Sequence, residues 1–251
     1  MGETHAGRTI FRITGADRES FLQGLVTNDV RGLETITYAA LLTPQGKFIA
    51  DFFLVPQDDA ILLDVDGSLA TGLAQKLNMY KLRADIGIKK TDLYAIRGIM
   101  RPIPDGGYED PRHPALGWRL YRDTPGEPPA IDWDLIRVTH TIPEVGHELT
   151  SETYILEAGF ERLNGVDFRK GCYVGQEVTA RMKHKTELRK GFARVALDGP
   201  APSVGDKVLT EDGKEVGTLT TVAPGQAIAY LRFDRARGQL SAGHTQVSLE
   251  A

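Results

Sequence analysis

The stretch GVDFRKGCYVGQEVTARMKH, Gly165–His184, carries the only cysteine of a 251-residue chain, Cys172. A basic pair, Arg169 and Lys170, precedes it, and the pattern after Gly175 predicts a helix start. Cations nearby and free N–H groups at a helix N-terminus both favour a thiolate. The competing reading is an inert cysteine buried as a small apolar residue, the commonest fate of a free thiol. Gly171 and Gly175 bracket Cys172 and Tyr173. They permit backbone turns and close ligand approach that other residues forbid, and a plain turn uses them equally well. Gln176, Glu177 and Arg181 follow on the predicted helix, with Glu177 and Arg181 in the favourable acid-before-base order four apart. A solvated pair of that kind contributes little.

Upstream of this stretch, strands and helices alternate. TIFRITG (Thr9–Gly15) predicts a short strand, and ADRESFLQGLVTNDV after it places Phe21, Leu22 and Leu25 at helical spacing. ITYAALLTPQGKFIADFFLVP holds two apolar runs around Pro44–Lys47, a hairpin with a tight turn. AILLDV reads as a further strand. GSLATGLAQKLNMYKL sets Leu69, Leu73, Leu77 and Tyr80 on one helical stripe, with Ser68 as the expected N-cap, and ADIGIKK returns as a strand. The result is an α+β arrangement with helices over one sheet face. RPIPDGGYEDPRHPALG and RDTPGEPPAIDWD are Pro- and Gly-rich and read as insertions or domain edges around a short strand, WRLYR. A helix is expected to stop before Pro143. From Gly191 onward short runs spaced by turn residues, Asp212–Gly213 among them, predict a small β-barrel. The expected division is 1–95, 96–188 and 189–251.

Composition narrows the function classes. With 41% hydrophobic residues the chain can bury an ordinary core, and a net charge of -4 gives no overall attraction to nucleic acid or anionic membrane. No apolar run reaches the ~18 residues of a span, and the N-terminal residues lack a signal-peptide core, so a cytoplasmic protein is expected. One cysteine excludes an internal disulfide and a conventional single-chain iron–sulfur site. The six histidines show no zinc-ligand spacing, TPQGK lacks the first glycine of a P-loop, and no metal site is expected. The basic run RMKHKTELRK suits a solvated helix face, or a hold on a carboxylate or phosphate tail. Asp51, at the end of GKFIAD, either faces solvent or accepts paired N–H donors such as those of a pterin edge.

KGCYVGQEVTARMKH resembles the signature K-G-C-Y-x-G-Q-E-x-x-(A/S)-R of the YgfZ family of folate-binding proteins, relatives of the glycine-cleavage T-protein. FLQGLVTNDV, LLTPQGKFIADFFL, KLRADIGI and YLRFD extend the likeness along most of the chain. The resemblance implies a T-protein-like ring of two α+β lobes and a C-terminal barrel around a central channel. It implies tetrahydrofolate as cofactor and a role in assembly or repair of iron–sulfur proteins, tRNA-thiolating enzymes included. Partners would be folate and iron–sulfur client or carrier proteins, with no nucleic acid, no membrane and a monomeric state.

The resemblance also assigns roles. Asp51 would meet the pterin edge, and Arg83 or Lys183 the glutamate tail. Cys172 would transfer or receive a sulfur, iron ligand or one-carbon unit, aided by the charge of Lys170. Tyr173, Gln176, Glu177 and Arg181 would complete the motif's folate-facing and orienting set. Departures are specific. Where the T-protein has G-G-x-x-D-D this chain has Ala50 and Asp51, so one carboxylate is missing and ordinary aminomethyl transfer is not expected. Thr139 occupies the glutamate position of the T-protein's RLEAG stretch, and Thr141 stands where many members have glycine. A folate-dependent one-carbon transferase and a folate-regulated scaffold are the alternatives.

Overall fold

The structure, a computed structural model, describes residues 2–184 and 187–249. The chain forms two compact units, one of Met1–Ala130 with Phe160–Ala180, the other of Ile131–Gly159 with Arg181–Ala251.

The first unit begins with β1 (Glu3–Thr4), β2 (Arg8–Thr14) and α1 (Arg18–Gln23). The hairpin follows as β3 (Thr37–Leu42) and β4 (Phe48–Gln57), then β5 (Ala60–Asp66), α2 (Gly67–Lys81) and β6 (Gly87–Lys90). An antiparallel sheet of order β3-β4-β5-β2-β6 results. Strand alternation assigns its faces. Ala39, Leu41, Ala50, Phe52 and Leu54 pack with Leu22 of α1 and Leu73 and Leu77 of α2 into one buried cluster. Truncating such a leucine costs about 2–5 kcal/mol. Tyr38, Ala40, Asp51 and Phe53 therefore point from the opposite face. The α2 cap differs from expectation by two residues: the Asp66 carboxylate accepts from the Ser68 backbone N–H at 2.9 Å, so Asp66 is the N-cap.

A second sheet of order β1-β7-β9-β8 uses β7 (Tyr94–Gly98), β8 (Tyr108–Glu109) and β9 (Trp118–Arg122). The Pro-rich stretch Arg101–Gly117, expected as an insertion or domain edge, lies within the first unit. It supplies β8, and its Asp110 and Arg112 are buried. Composition misleads there because the prolines shape turns around charged residues that pair internally. Arg119 joins the two sheets: Nε donates to Asp110 at 3.1 Å and Nη1 to Asp64 of β5 at 3.0 Å, both pairs almost fully buried. Asp64 also accepts from Arg8 Nε at 2.6 Å and from the Tyr121 hydroxyl at 2.8 Å. Arg119 Nη2 lies 3.4 Å from Nδ1 of His5. Burial, then the Arg119 charge, hold His5 well below its ordinary range, which keeps it neutral and able to accept.

In the second unit α3 (Trp133–His140) is capped by the Asp132 carboxylate on Leu135 N–H at 2.9 Å. It ends with Thr141 in the left-handed region at φ 50°, as the Pro143 signal required an early stop. Its Val138 packs on Ala223 and Ile228, and its buried Arg137 donates to Glu148 at 3.0 Å. The strands β10 (Lys190–Asp198), β11 (Lys207–Thr210), β12 (Glu215–Ala223), β13 (Gln226–Arg232), β14 (Leu240–Ala242) and β15 (Thr245–Leu249) close a barrel of order β10-β13-β12-β11-β14-β15. Val195, Val208, Leu219, Ala229, Leu231 and Val247 are among the residues that fill it. The barrel expected from the spacing of these short runs is therefore present. Among the described residues no helix is long and apolar enough to cross a membrane.

Candidate functional site

Cys172 sits in an irregular loop and is exposed, so the reading of it as a buried apolar residue does not hold. The loop is fixed at several points within the first unit. Thr27 N–H donates to Ala40 of β3 at 3.0 Å, and its hydroxyl accepts from Ala40 N–H at 2.8 Å. The same hydroxyl donates to Gly165 O at 2.6 Å, while Asp167 N–H donates to Thr27 O at 3.0 Å. Because Ala40 is the cross-strand partner of Asp51, the segment leading to Cys172 is tied to the strand pair that carries Asp51.

Lys170 is buried, and its Nζ donates to Gln23 O at 2.9 Å and to Val26 O, main-chain carbonyls at and just beyond the end of α1. It also lies 5.2 Å from the Tyr173 ring centroid. Burial brings its pKa down to about 8, against opposing pulls from Asp29 and Asp167. Those bonds make Lys170 a staple between the motif loop and the FLQGLVTNDV stretch. Tyr173 is buried, and desolvation raises its phenol to about 12.

Two glycines explain how the loop lies against the hairpin turn. Gly175, at φ 85°, sits where a Cβ would come within 2.6 Å of the Thr43 carbonyl oxygen and 3.1 Å of the Gly46 Cα. Gly46, at φ 76°, faces Val178, which a Cβ would approach to 2.9 Å. Only glycine fits both the conformation and the approach. The predicted helix follows as α4 (Gln176–Lys183), with Gln176 N–H donating to Tyr173 O at 3.3 Å. Glu177 and Arg181 are both exposed, and no ion pair between them is found among the described residues.

Asp51 lies on β4 and is 5% exposed, which removes the solvent-facing reading. Its Oδ2 accepts from the Tyr38 hydroxyl at 2.8 Å. The Tyr38 ring lies 5.3 Å from Phe53 and 5.1 Å from Phe160, and the Arg112 guanidinium stands 4.9 Å from the Phe53 centroid and 5.6 Å from that of Tyr38. Asp110 holds Arg112 by a two-pronged contact at 3.0 Å. Burial pushes the Asp110 carboxyl up, but Arg112 and Arg119 together outweigh it and bring it below its ordinary range. Sequence reasoning singled out Asp51 but not Tyr38 or Arg112. A carboxylate and a tyrosine on the same face of a hairpin was the available signal for the first, and oppositely charged residues flanking Pro111 for the second.

Arg83 is exposed just past the C-terminal end of α2, which covers the sheet face opposite Asp51. Lys183 is exposed at the end of α4. In the second unit, the Thr139 hydroxyl donates to Leu135 O at 2.7 Å and accepts from Gln226 Nε2 at 2.9 Å. The position that holds glutamate in the T-protein pattern here contacts the barrel. Among the described residues no group of three or more His, Cys, Asp or Glu could hold a metal ion.

Comparison with known proteins agrees with this architecture. Over its full length the chain superposes on the glycine cleavage system aminomethyltransferase T of Bartonella henselae with TM-score 0.79, covering 84% of that chain at 12% identity, a likeness of fold alone. Residues 189–251 match the family described as the CAF17 C-terminal beta-barrel domain. The mitochondrial iron-sulfur cluster assembly factor IBA57 homolog of Neurospora crassa is 32% identical over 78% of this chain and 54% of its own length. The mitochondrial IBA57 proteins of Mus musculus and Homo sapiens are each 28% identical, over 97% and 93% of this chain and 75% and 78% of theirs. The chain thus spans about half the length of the fungal relative. These relatives are mitochondrial proteins, so the cytoplasmic assignment drawn from composition is overturned. The chain is homologous to the IBA57 iron–sulfur cluster assembly factors, in an α+β fold of the aminomethyltransferase type that ends in a closed, CAF17-like β-barrel.

Proposed function

We propose that the chain binds a reduced folate, tetrahydrofolate or a one-carbon derivative, and uses Cys172 in the assembly or repair of iron–sulfur proteins. Clients would be iron–sulfur enzymes or carriers, tRNA-thiolating enzymes included. The observation that carries the folate reading is Asp51: a buried carboxylate, oriented by Tyr38, whose own ring packs against Phe53 and Phe160. A flat heterocycle with adjacent N–H donors suits one convergent buried acceptor. Folate, when bound, would supply a one-carbon carrier. This chain's residues would accept its N–H edge at Asp51 and keep water from the rings.

Aminomethyl transfer of the ordinary kind is not favoured. Ala50 is fully buried in the apolar cluster on the opposite face, so position 50 brings no second carboxylate to Asp51. The thiol is the group left to act, exposed on a loop held by Lys170 and by the packing of Gly175. The assembly role rests on the IBA57 relatives. Its test is reactivation of a four-iron client enzyme by the purified protein under reducing, anaerobic conditions. Wild type should restore client activity and Cys172→Ala should not; equal restoration by both would remove the thiol from the account.

A further inference from the structure

We infer that Arg112 is a positioning residue that acts on Asp51 through the ring of Tyr38, a reading that rests on the folate site proposed above. Three contacts lie in series. Asp110 grips the guanidinium with both carboxylate oxygens, Oδ1 to Nε and Oδ2 to Nη2, each at 3.0 Å. The guanidinium stands over Phe53 and Tyr38, with centroids at 4.9 and 5.6 Å, inside the range of cation–π attraction. The Tyr38 hydroxyl then donates to Asp51 Oδ2 at 2.8 Å. A cation over a phenol draws electron density from the ring and makes its O–H a stronger donor. Asp51 is thereby held in one rotamer as an acceptor for N–H groups.

The segment that carries Arg112 is built to hold it still. Arg112 is 5% exposed, and Asp110 is fixed from its other side by Arg119, which is itself bonded to Asp64. The Asn164 side chain donates to Pro111 O at 2.9 Å, and the Asn28 side chain donates to Asn164 O at 2.7 Å and to Tyr38 O at 2.9 Å. Among the described residues, Tyr38 on β3 bonds Asp51 directly, Arg8 on β2 interacts with it electrostatically, and Arg112, held by Asp110, stands over the Tyr38 ring from the loop before β9. Arg8 is paired with Asp64 at 2.6 Å. Arg112 is a cation over the ring of the very residue that donates to Asp51.

The test reads Asp51 directly and folate separately. The carboxyl carbon of Asp51, assigned with Asp51→Asn, is followed by 13C NMR through an acid titration in wild type, Tyr38→Phe, Arg112→Met, Arg112→Lys and Arg112→Gln. Tetrahydrofolate affinity is measured calorimetrically in the same proteins. Arg112→Met should raise the Asp51 midpoint by about half a unit or more and weaken tetrahydrofolate about 5- to 20-fold. In the Tyr38→Phe background the same change should have little further effect. Arg112→Lys, which keeps the charge but loses the fork, should restore affinity to within about threefold, and Arg112→Gln, which keeps only hydrogen bonding, should not. An unchanged Asp51 midpoint in folded Arg112→Met, or rescue by Gln equal to rescue by Lys, overturns the inference. Should Arg112→Met fail to fold, the Lys and Gln pair carries the same decision. Absence of tetrahydrofolate binding in wild type, with the Asp51 shift intact, would sink the folate reading and leave the positioning role standing.

Discussion

Replacing Lys170 by methionine separates its bonds from its charge. Two main-chain carbonyls, Gln23 O and Val26 O, lose their donor. Charge-assisted bonds of this kind contribute roughly 1.5–3 kcal/mol each. Against them stands the cost of burying the ammonium, whose pKa falls from 10.5 to about 8. At 1.36 kcal/mol per unit this costs about 3 kcal/mol near neutrality. A lysine with a lowered folded-state pKa binds fewer protons folded than unfolded between pH 8 and 10.5. Wild-type stability must therefore rise relative to Lys170→Met as pH climbs through that window, and the burial cost is fully present below it. Between pH 7 and 9.5 the difference should widen in favour of wild type by about 2 kcal/mol. Urea unfolding of both proteins at half-unit steps measures it, since all other titrations cancel in the difference. Parallel curves with a constant offset would refute the buried, clamped ammonium.

Three further outcomes are expected. Asp64→Asn strips the counter-charge from Arg8 and Arg119 and should destabilise the first unit by about 3–5 kcal/mol, read by denaturant unfolding. Thr141→Gly should stabilise the protein by about 1 kcal/mol, because a β-branched residue at φ 50° carries a penalty that glycine lacks; an unchanged or lower Tm would show that the Thr141 side chain offsets that strain. Gly175→Ala should cost at least about 1–2 kcal/mol, from its φ of 85° and the 2.6 Å approach to Thr43 O, and should alter the rate of Cys172 alkylation by iodoacetamide. An unaltered rate would show that the turn contact does not set the thiol's presentation.

Much of the fold was legible because its signals are local. Two apolar runs around Pro44–Lys47 could only be a hairpin, and Leu73 and Leu77 at helical spacing had to face a sheet. The β-barrel was readable from turn spacing. The Arg101–Gly117 stretch was not, because its order comes from Arg119 and Asp64, distant in sequence, and composition registers only its prolines. The same limit applies to the site. Cys172 and Asp51 stand out by residue type and place. The Tyr38 hydroxyl and the Arg112 fork are tertiary contacts, as are the bonds of Lys170 to the carbonyls at and beyond the end of α1. Arg83, expected at the glutamate tail as a basic residue, lies exposed just past α2.

Calorimetric titration of tetrahydrofolate into wild type, Asp51→Asn and Cys172→Ala tests the central claim most directly. Saturable binding to wild type, equal binding to Cys172→Ala and loss of at least about tenfold in affinity for Asp51→Asn are the expected results. Undiminished binding to Asp51→Asn, or none to folded wild type, would contradict the account.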